Sequence, residues 1–497
     1  MAEQFDLIVT GGLTVTASGA APLDVAVTGE SIAAVDQPGA FAGQGRRALD
    51  ATGCIVIPGG VDPHVHFNLR LPSVGGGVIP DEGQEYSYAA AFGGTTTIID
   101  FALWDRARWD QDHALGLTAA VAAKREEAHG RMAVDYGLHG LLIGNPPFEV
   151  LDEIGPVIES GIATIKTSSS CPPWTSDDGH RLGVMTEVAR HGGLHILHAE
   201  DQAIIDWLTA KYVRQGKLHG AYTAETRGPL VEEAAIRRAI LLSEYTGCPL
   251  FVLHVGAGRG AAAVKEARAR QLPVFGETLV CYLSFTSEKL WDDDNHGLLW
   301  NNWPALKGAE DRSALWQAIT DDGLQVVSSD HYVVKVADRY RGMGDTVATQ
   351  GQAGQASVEM RLPVLFHLGV NEGRLSLERF VDLVSTNPAK LMGLYPRKGV
   401  LQPGSDADIV IFDPTKTWTV ACRDHHMSAD YNCWEGWELR GKVRSTMLRG
   451  TPLVIDEAWV GSKTGGRFLP RKIDPQFAGA GADLAATAAT AHAGRPA

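Results

Sequence analysis

The chain has 497 residues, 44% of them hydrophobic, with a formal net charge of -15 at neutral pH. That is more apolar material than one small domain needs, and the acidic balance argues against nucleic acid and anionic membrane as partners, since both select basic patches. The six cysteines show no Cys-x-x-Cys pair and no regular spacing, which argues against a disulfide scaffold and fits a reducing cytoplasm. No run of about 18 apolar residues is present and the first residues lack a signal pattern, so neither a membrane span nor export is expected.

In chain order, residues 1–57 read as short strands. Residues 24–27 and 32–35 flank Thr28-Gly29-Glu30, a hairpin turn. From 58 to 399 short β-rich runs alternate with helical stretches. Strand candidates end near Phe101, His139, Lys166, His198, His254, Phe275 and Ser328, and helices are expected over 112–129, 232–246 and 259–270. This α/β alternation predicts a closed (β/α)8 TIM-like barrel, whose chemistry sits where strands end and loops begin. From 400 to 475 short strands return, as at 408–413 and 446–450. Each terminal β segment is too small to bury a core alone, so the two are expected to pair into a small β-sandwich domain with the barrel inserted between them. Residues 476–497, rich in Ala, Gly and Thr, are expected to be a disordered tail.

The polar residues at the predicted strand ends carry the chemistry. After the apolar run 54–57, His64 and His66 sit two apart, so on extended backbone both imidazoles face the same way and can reach one point. His198 and His254 each end an apolar run; either is a structural histidine or a ring delivered to the barrel rim. His195 lies inside its strand and is assigned to packing, as are His139 and His191. Asp330 ends 326–329 and reads either as a metal ligand and proton acceptor or as a helix cap. Lys166, after 161–165, is either a snorkelling lysine or a buried amine. A buried neutral amine can react with carbon dioxide to give a carbamate able to bridge two cations.

The stretches 58–67, Gly93-Gly94-Thr95-Thr96-Thr97-Ile98-Ile99-Asp100-Phe101, His198-Ala199-Glu200, Gly276-Glu277-Thr278, Ser329-Asp330-His331, 384–390, 393–399 and 404–408 carry a resemblance. His425-His426 and Asp430-Tyr431-Asn432 fit it as well. Over about residues 5–470 the chain resembles the amidohydrolase superfamily, and within it the hydantoinase and dihydropyrimidinase group. The resemblance implies two divalent metal ions, usually zinc, as cofactors. His64, His66 and Asp330 would hold the first, His198 and His254 the second, with Lys166 as N6-carboxylysine between them. It implies a metal-bridging hydroxide that opens a small cyclic amide, yielding an N-carbamoyl amino acid from a hydantoin or dihydropyrimidine, with Asp330 moving the proton. It also implies a homo-oligomer, a tetramer or dimer. Allantoinase-like, dihydroorotase-like or other cyclic imide hydrolysis are the alternatives, as is a non-catalytic scaffold of the same fold. Phe67-Asn68-Leu69-Arg70 only partly matches the dihydroorotase pattern.

Three substrate-facing segments depart from the group. The tyrosine that commonly follows the bridging lysine is Cys171 here, a far weaker hydrogen-bond donor than a phenol. Asn301-Asn302-Trp303-Pro304-Ala305 replaces a Cys-Ser-Pro-Pro-like segment, and Gln352-Ala353-Gly354-Gln355-Ala356 replaces an Asn-Gly loop. Cys171, Trp174, Asn302, Trp303 and Ala353 are therefore the expected substrate contacts. Trp174, Trp303 and Trp104 either suit a bulky ring substituent or pack loops against the barrel.

Overall fold

The structure is a computed structural model that describes residues 4–69, 83–291, 297–339 and 353–477. Arg70, Gln352 and residues 478–497 of the expected tail lie outside the described residues.

Eight parallel strands form one sheet in chain order: β1 (Gly60–Asp62), β2 (Thr95–Asp105), β3 (Asp135–Ile143), β4 (Thr164–Ser168), β5 (Leu194–His198), β6 (Leu250–Val252), β7 (Val274–Leu279) and β8 (Val326–Ser328). Helices follow the strands, among them Leu117–Ala128, Asp178–Arg190, Pro229–Thr246, Gly258–Ala269 and Ala309–Thr320. Strands of parallel sheets are covered on both faces, which is why the residues of all eight are buried with scarcely an exception. The alternation predicted from the sequence is thus realised as a barrel. No described helix is long and apolar enough to cross a membrane.

The seam between β8 and β1 closes the sheet. Just past the two strands, Val65 and His331 form a parallel bridge, with the His66 amide donating to the His331 carbonyl at 2.9 Å. Deeper in, a wholly buried arginine stitches the seam. Nη1 of Arg361 donates to the carbonyls of Val61 (3.0 Å) and Val327 (3.2 Å), Nη2 donates to Thr95 Oγ1 (3.0 Å), and Nε lies 3.4 Å from Asp62. A Cβ on Gly60 would stand only 2.9 Å from Nη2, so that glycine makes room for the guanidinium. Replacing the arginine strands buried carbonyls and an unpaired buried carboxylate. Arg361→Met is therefore expected to lose about 3 kcal/mol or more of stability in urea titration, and a midpoint matching wild type would contradict this role.

The chain ends form two sheets. Ser31–Asp36, Asp24–Thr28, Leu7–Thr10 and Ala48–Asp50 make a four-stranded one. The seven-stranded one mixes both termini, placing Ile409–Thr419 and Glu438–Leu448 beside Ile55–Pro58 and Leu13–Thr16. Leu7, Val9, Val25 and Val27 of the first meet Val56, Ile409, Ile411 and Met447 of the second in one apolar layer. This is the β-sandwich, and neither terminus builds it alone. The strand expected over 446–450 stops at Leu448, because Arg449 and Gly450 turn with positive φ into Thr451–Ile455. At the end of the barrel opposite its strand termini, Lys398 Nζ joins Asp135 of β3 (2.8 Å) to Asp408 beside the sandwich (2.7 Å).

Of the two readings open for Trp104, packing is the one realised. Trp104 is 1% exposed and packs with Ala102, Trp109, Leu117 and Leu142 between sheet and helices. Phe101 of the same strand faces the barrel interior, where it stacks on His66 and His139. Parity along the strand turns Trp104 away from the barrel interior.

Candidate active site

Because the strands are parallel, their C-terminal ends share one mouth. The loop after β1 delivers His64 and His66. Lys166 sits within β4, His198 ends β5, and His254 and Asp330 stand two residues past β6 and β8. The six side chains meet. Asp330 Oδ1 lies 3.2 Å from His64 Nε2 and 3.1 Å from His66 Nε2. Lys166 Nζ lies 3.4 Å from the same His64 nitrogen, over the Phe101 ring at 4.2 Å. His198 Nδ1 and His254 Nε2 face each other at 2.9 Å, and the His254 ring centre is 5.3 Å from that of His64. His254 and Asp330 hold φ of 37° and 47°, and Cys171 63°. These left-handed values are uncommon for residues with a Cβ and concentrate at sites where aim matters more than backbone comfort.

The electrostatics follow from burial. Burial drives His64 and His254 well below the usual imidazole range and lowers His66 too, so these rings are neutral lone-pair donors. For Asp330 burial works the other way, but His64 and then His66 outweigh it and hold the carboxyl well below its ordinary value. Burial lowers Lys166 to about 8 against the pull of Asp330. Around these groups stands a shell the sequence reading left without roles. Glu277 Oε1 accepts from His64 Nδ1 at 2.6 Å and from the His254 amide at 3.1 Å. Glu200 Oε2 lies 3.0 Å from His198 Nε2 and pairs with Arg227. Glu277 lies within β7 and Glu200 two residues past β5, and the stretches Gly276-Glu277-Thr278 and His198-Ala199-Glu200 are the sequence signal that points to them. Arg227 sits in a loop with no such cue.

His64, His66 and Asp330 form one group of donor atoms close enough to hold a metal ion, and Cys171, His198 and Glu200 form another. In the second, the guanidinium of Arg227 already neutralises Glu200. His198 Nδ1 and His254 Nε2, 2.9 Å apart, are a further pair of ring nitrogens at the same mouth.

The expected substrate contacts scatter more. Cys171 lies at the site, its Sγ 3.9 Å from His198 Nε2 and 3.6 Å from Arg227 Nη2. Burial would raise that thiol, but Arg227 and His198 outweigh it and the thiol is lowered. Trp303 stacks on Arg227 with Cζ 4.6 Å from the ring centre. Trp174 is half-buried in the turn after Cys171 and donates its amide to the Cys171 carbonyl at 2.8 Å. Asn302 is buried, its amide directed at Cys281 Sγ (3.6 Å) and Tyr282 Oη (3.4 Å). Ala353 is half-buried in a loop tied to Asn301 through the Gly354 amide (3.1 Å) and to His331 through Gln355. The histidines assigned to packing have structural partners. His195 meets Thr167 Oγ1 at 3.0 Å, His139 meets Thr164 Oγ1 and the Pro63 carbonyl, and His191 stands 3.8 Å from Glu187.

Comparison with known proteins agrees with this geometry. The model of the amidohydrolase family matches residues 55–453. The chain is 35% identical over 469 residues to a D-hydantoinase of Streptomyces coelicolor, covering 93% of this chain and 97% of the relative. It is 36% identical over 426 residues to a D-phenylhydantoinase of Escherichia coli, covering 85% and 89%. Among solved structures, a dihydropyrimidinase from Brevibacillus agri superposes with a TM-score of 0.87 at 33% identity, covering 94% of this chain and 98% of the other. With family model, relatives and barrel in agreement, the chain belongs to the amidohydrolase family, in its hydantoinase and dihydropyrimidinase group.

Proposed function

We propose that the protein is a metal-dependent hydrolase of cyclic amides that opens a hydantoin-like or dihydropyrimidine-like ring to an N-carbamoyl amino acid. The observation that carries this reading is the convergence of His64, His66, Lys166, His198, His254 and Asp330 at one barrel mouth. The donor set fits two divalent cations. Neutral His64, His66 and His254 and an ionised Asp330 are the protonation states such ions require, and imidazole with carboxylate is the chemistry zinc accepts; His198, which Cys171 and Glu200 raise to about 9 against its burial, would give up a proton to bind one. His64, His66 and Asp330 would hold one cation, His198 and His254 the other, and Lys166 as a carbamate would supply oxygens to both. The relatives' names, hydantoinase and dihydropyrimidinase, support the substrate class.

Bound cations of this kind supply Lewis acidity toward the amide carbonyl and lower the pKa of the attacking water. The chain's own residues do the rest. Glu277 accepts from His64 Nδ1, which leaves the Nε2 lone pair aimed at the centre. Asp330, 8% exposed at the mouth, is placed to take the proton of the attacking water and return it to the ring nitrogen as the carbon–nitrogen bond breaks. Trp174 and Trp303 are the pocket walls proposed for a bulky ring substituent. The six cysteines, all unpaired, suit a cytoplasmic enzyme, and we infer a dimer or tetramer from the likeness to its group.

The test is a hydrolysis screen of hydantoin, phenylhydantoin, dihydrouracil, allantoin, dihydroorotate and simple cyclic imides, with and without a chelator. Turnover of hydantoins or dihydrouracil, abolished by chelation and restored by zinc, is the expected result. Turnover confined to the other rings would move the substrate class. Zinc-replete protein that opens none of them would overturn the reading in favour of a scaffold.

A further inference from the structure

The ring of His198 is held from its far edge. Its Nε2 is 3.0 Å from Oε2 of Glu200, and that same oxygen receives Nη1 of Arg227. Glu200 is wholly buried and Arg227 is 7% exposed. The guanidinium is fixed on two further sides, by the Trp303 ring beneath it and by Cys171 Sγ at 3.6 Å. His254 shows the contrast, because its Nδ1 has no hydrogen-bond partner among the described residues.

An imidazole offers a lone pair on one nitrogen only when the proton sits on the other, and the partner of that second nitrogen decides the matter. A carboxylate at Nε2 of His198 puts the proton there and leaves Nδ1, the atom facing His254, free to ligate. The carboxylate can do this only while it keeps its orientation, and Glu200 has one strong charged partner doing the orienting. We propose that Arg227 is a positioning residue of the second cation site. Acting through Glu200, it sets the tautomer and tilt of His198, and through Trp303 it ties that ligand to the wall of the substrate pocket. The proposal rests on the two-cation reading above.

The experiment counts zinc per chain during dialysis against graded chelator, for wild type, Arg227→Met, Arg227→Lys and Glu200→Gln, with circular dichroism and melting as folding controls. Wild type is expected to hold two ions. Arg227→Met and the isosteric Glu200→Gln should keep one ion at wild-type affinity and bind the other about 10–100-fold more weakly. Arg227→Lys, which preserves the charge, should recover part of that difference. Folded variants that bind both ions as wild type does would overturn the proposal, leaving Arg227 as a pocket residue read in KM alone. Equal weakening of both ions would overturn it too, since that is a general disturbance. Wild-type protein that binds no zinc would instead remove the two-cation reading and this inference with it.

Discussion

Lys166→Ala should fold, lose the coupling between the two cations and drop in hydrolysis by about 10³-fold or more, roughly 4 kcal/mol of barrier. The reason lies in the lysine's surroundings. It is 4% exposed, its hydrogen-bond partner is a ring nitrogen rather than a carboxylate, and burial brings it to about 8. Near neutral pH a far larger share of such an amine is uncharged than of an ordinary lysine. On the proposed reading the neutral nitrogen would attack carbon dioxide, forming a carbon–nitrogen bond as a carbon–oxygen π pair moves to oxygen and a proton leaves, and a cation that would repel metals would become an anion able to hold them. Two consequences separate this from a structural lysine. Lys166→Arg should be as inactive as the alanine variant, because a guanidinium does not carboxylate, and a short carboxylic acid such as propionate should restore part of the activity of Lys166→Ala. Reconstitution of metal-free protein with zinc and bicarbonate should also quicken as pH rises through about 8. Activity of Lys166→Ala within about threefold of wild type would reject the carbamate.

Asp330→Asn is expected to lose about 10³-fold in kcat with a small change in KM, within the range for loss of a positioned proton acceptor. The carboxylate oxygen lies 3.1–3.2 Å from two imidazole nitrogens. An amide of the same shape keeps a carbonyl oxygen toward the site but cannot accept the proton. The fall should therefore outlast any loss of zinc and persist at saturating metal. Activity restored fully by added zinc would make Asp330 a ligand and nothing more.

Much of this was legible before any coordinates. The spacing of His64 and His66 on extended backbone fixed their common aim, and alternating strands and helices implied a mouth where distant residues could meet. Parity accounts for two of the outcomes. His195 is three residues before His198, hence on the opposite face of β5, where it meets Thr167. The same rule decides between the two readings of Trp104, since its distance from Phe101 sends it outward into packing. Glu277, Glu200 and Arg227 carried no assigned role because an orienting partner needs only one hydrogen bond, which imposes no spacing on the chain. The amide of Asn302 is directed at Cys281 and Tyr282, contacts that depend on how its loop folds.

A crystal of zinc-replete protein, with anomalous differences collected at the zinc edge, reaches the centre of this account. Two peaks should appear, one among His64, His66 and Asp330 and the other between His198 and His254, with density continuing from Nζ of Lys166 to lie between them. A single peak, or an unmodified lysine amine pointing at empty space between two distant ions, would contradict it.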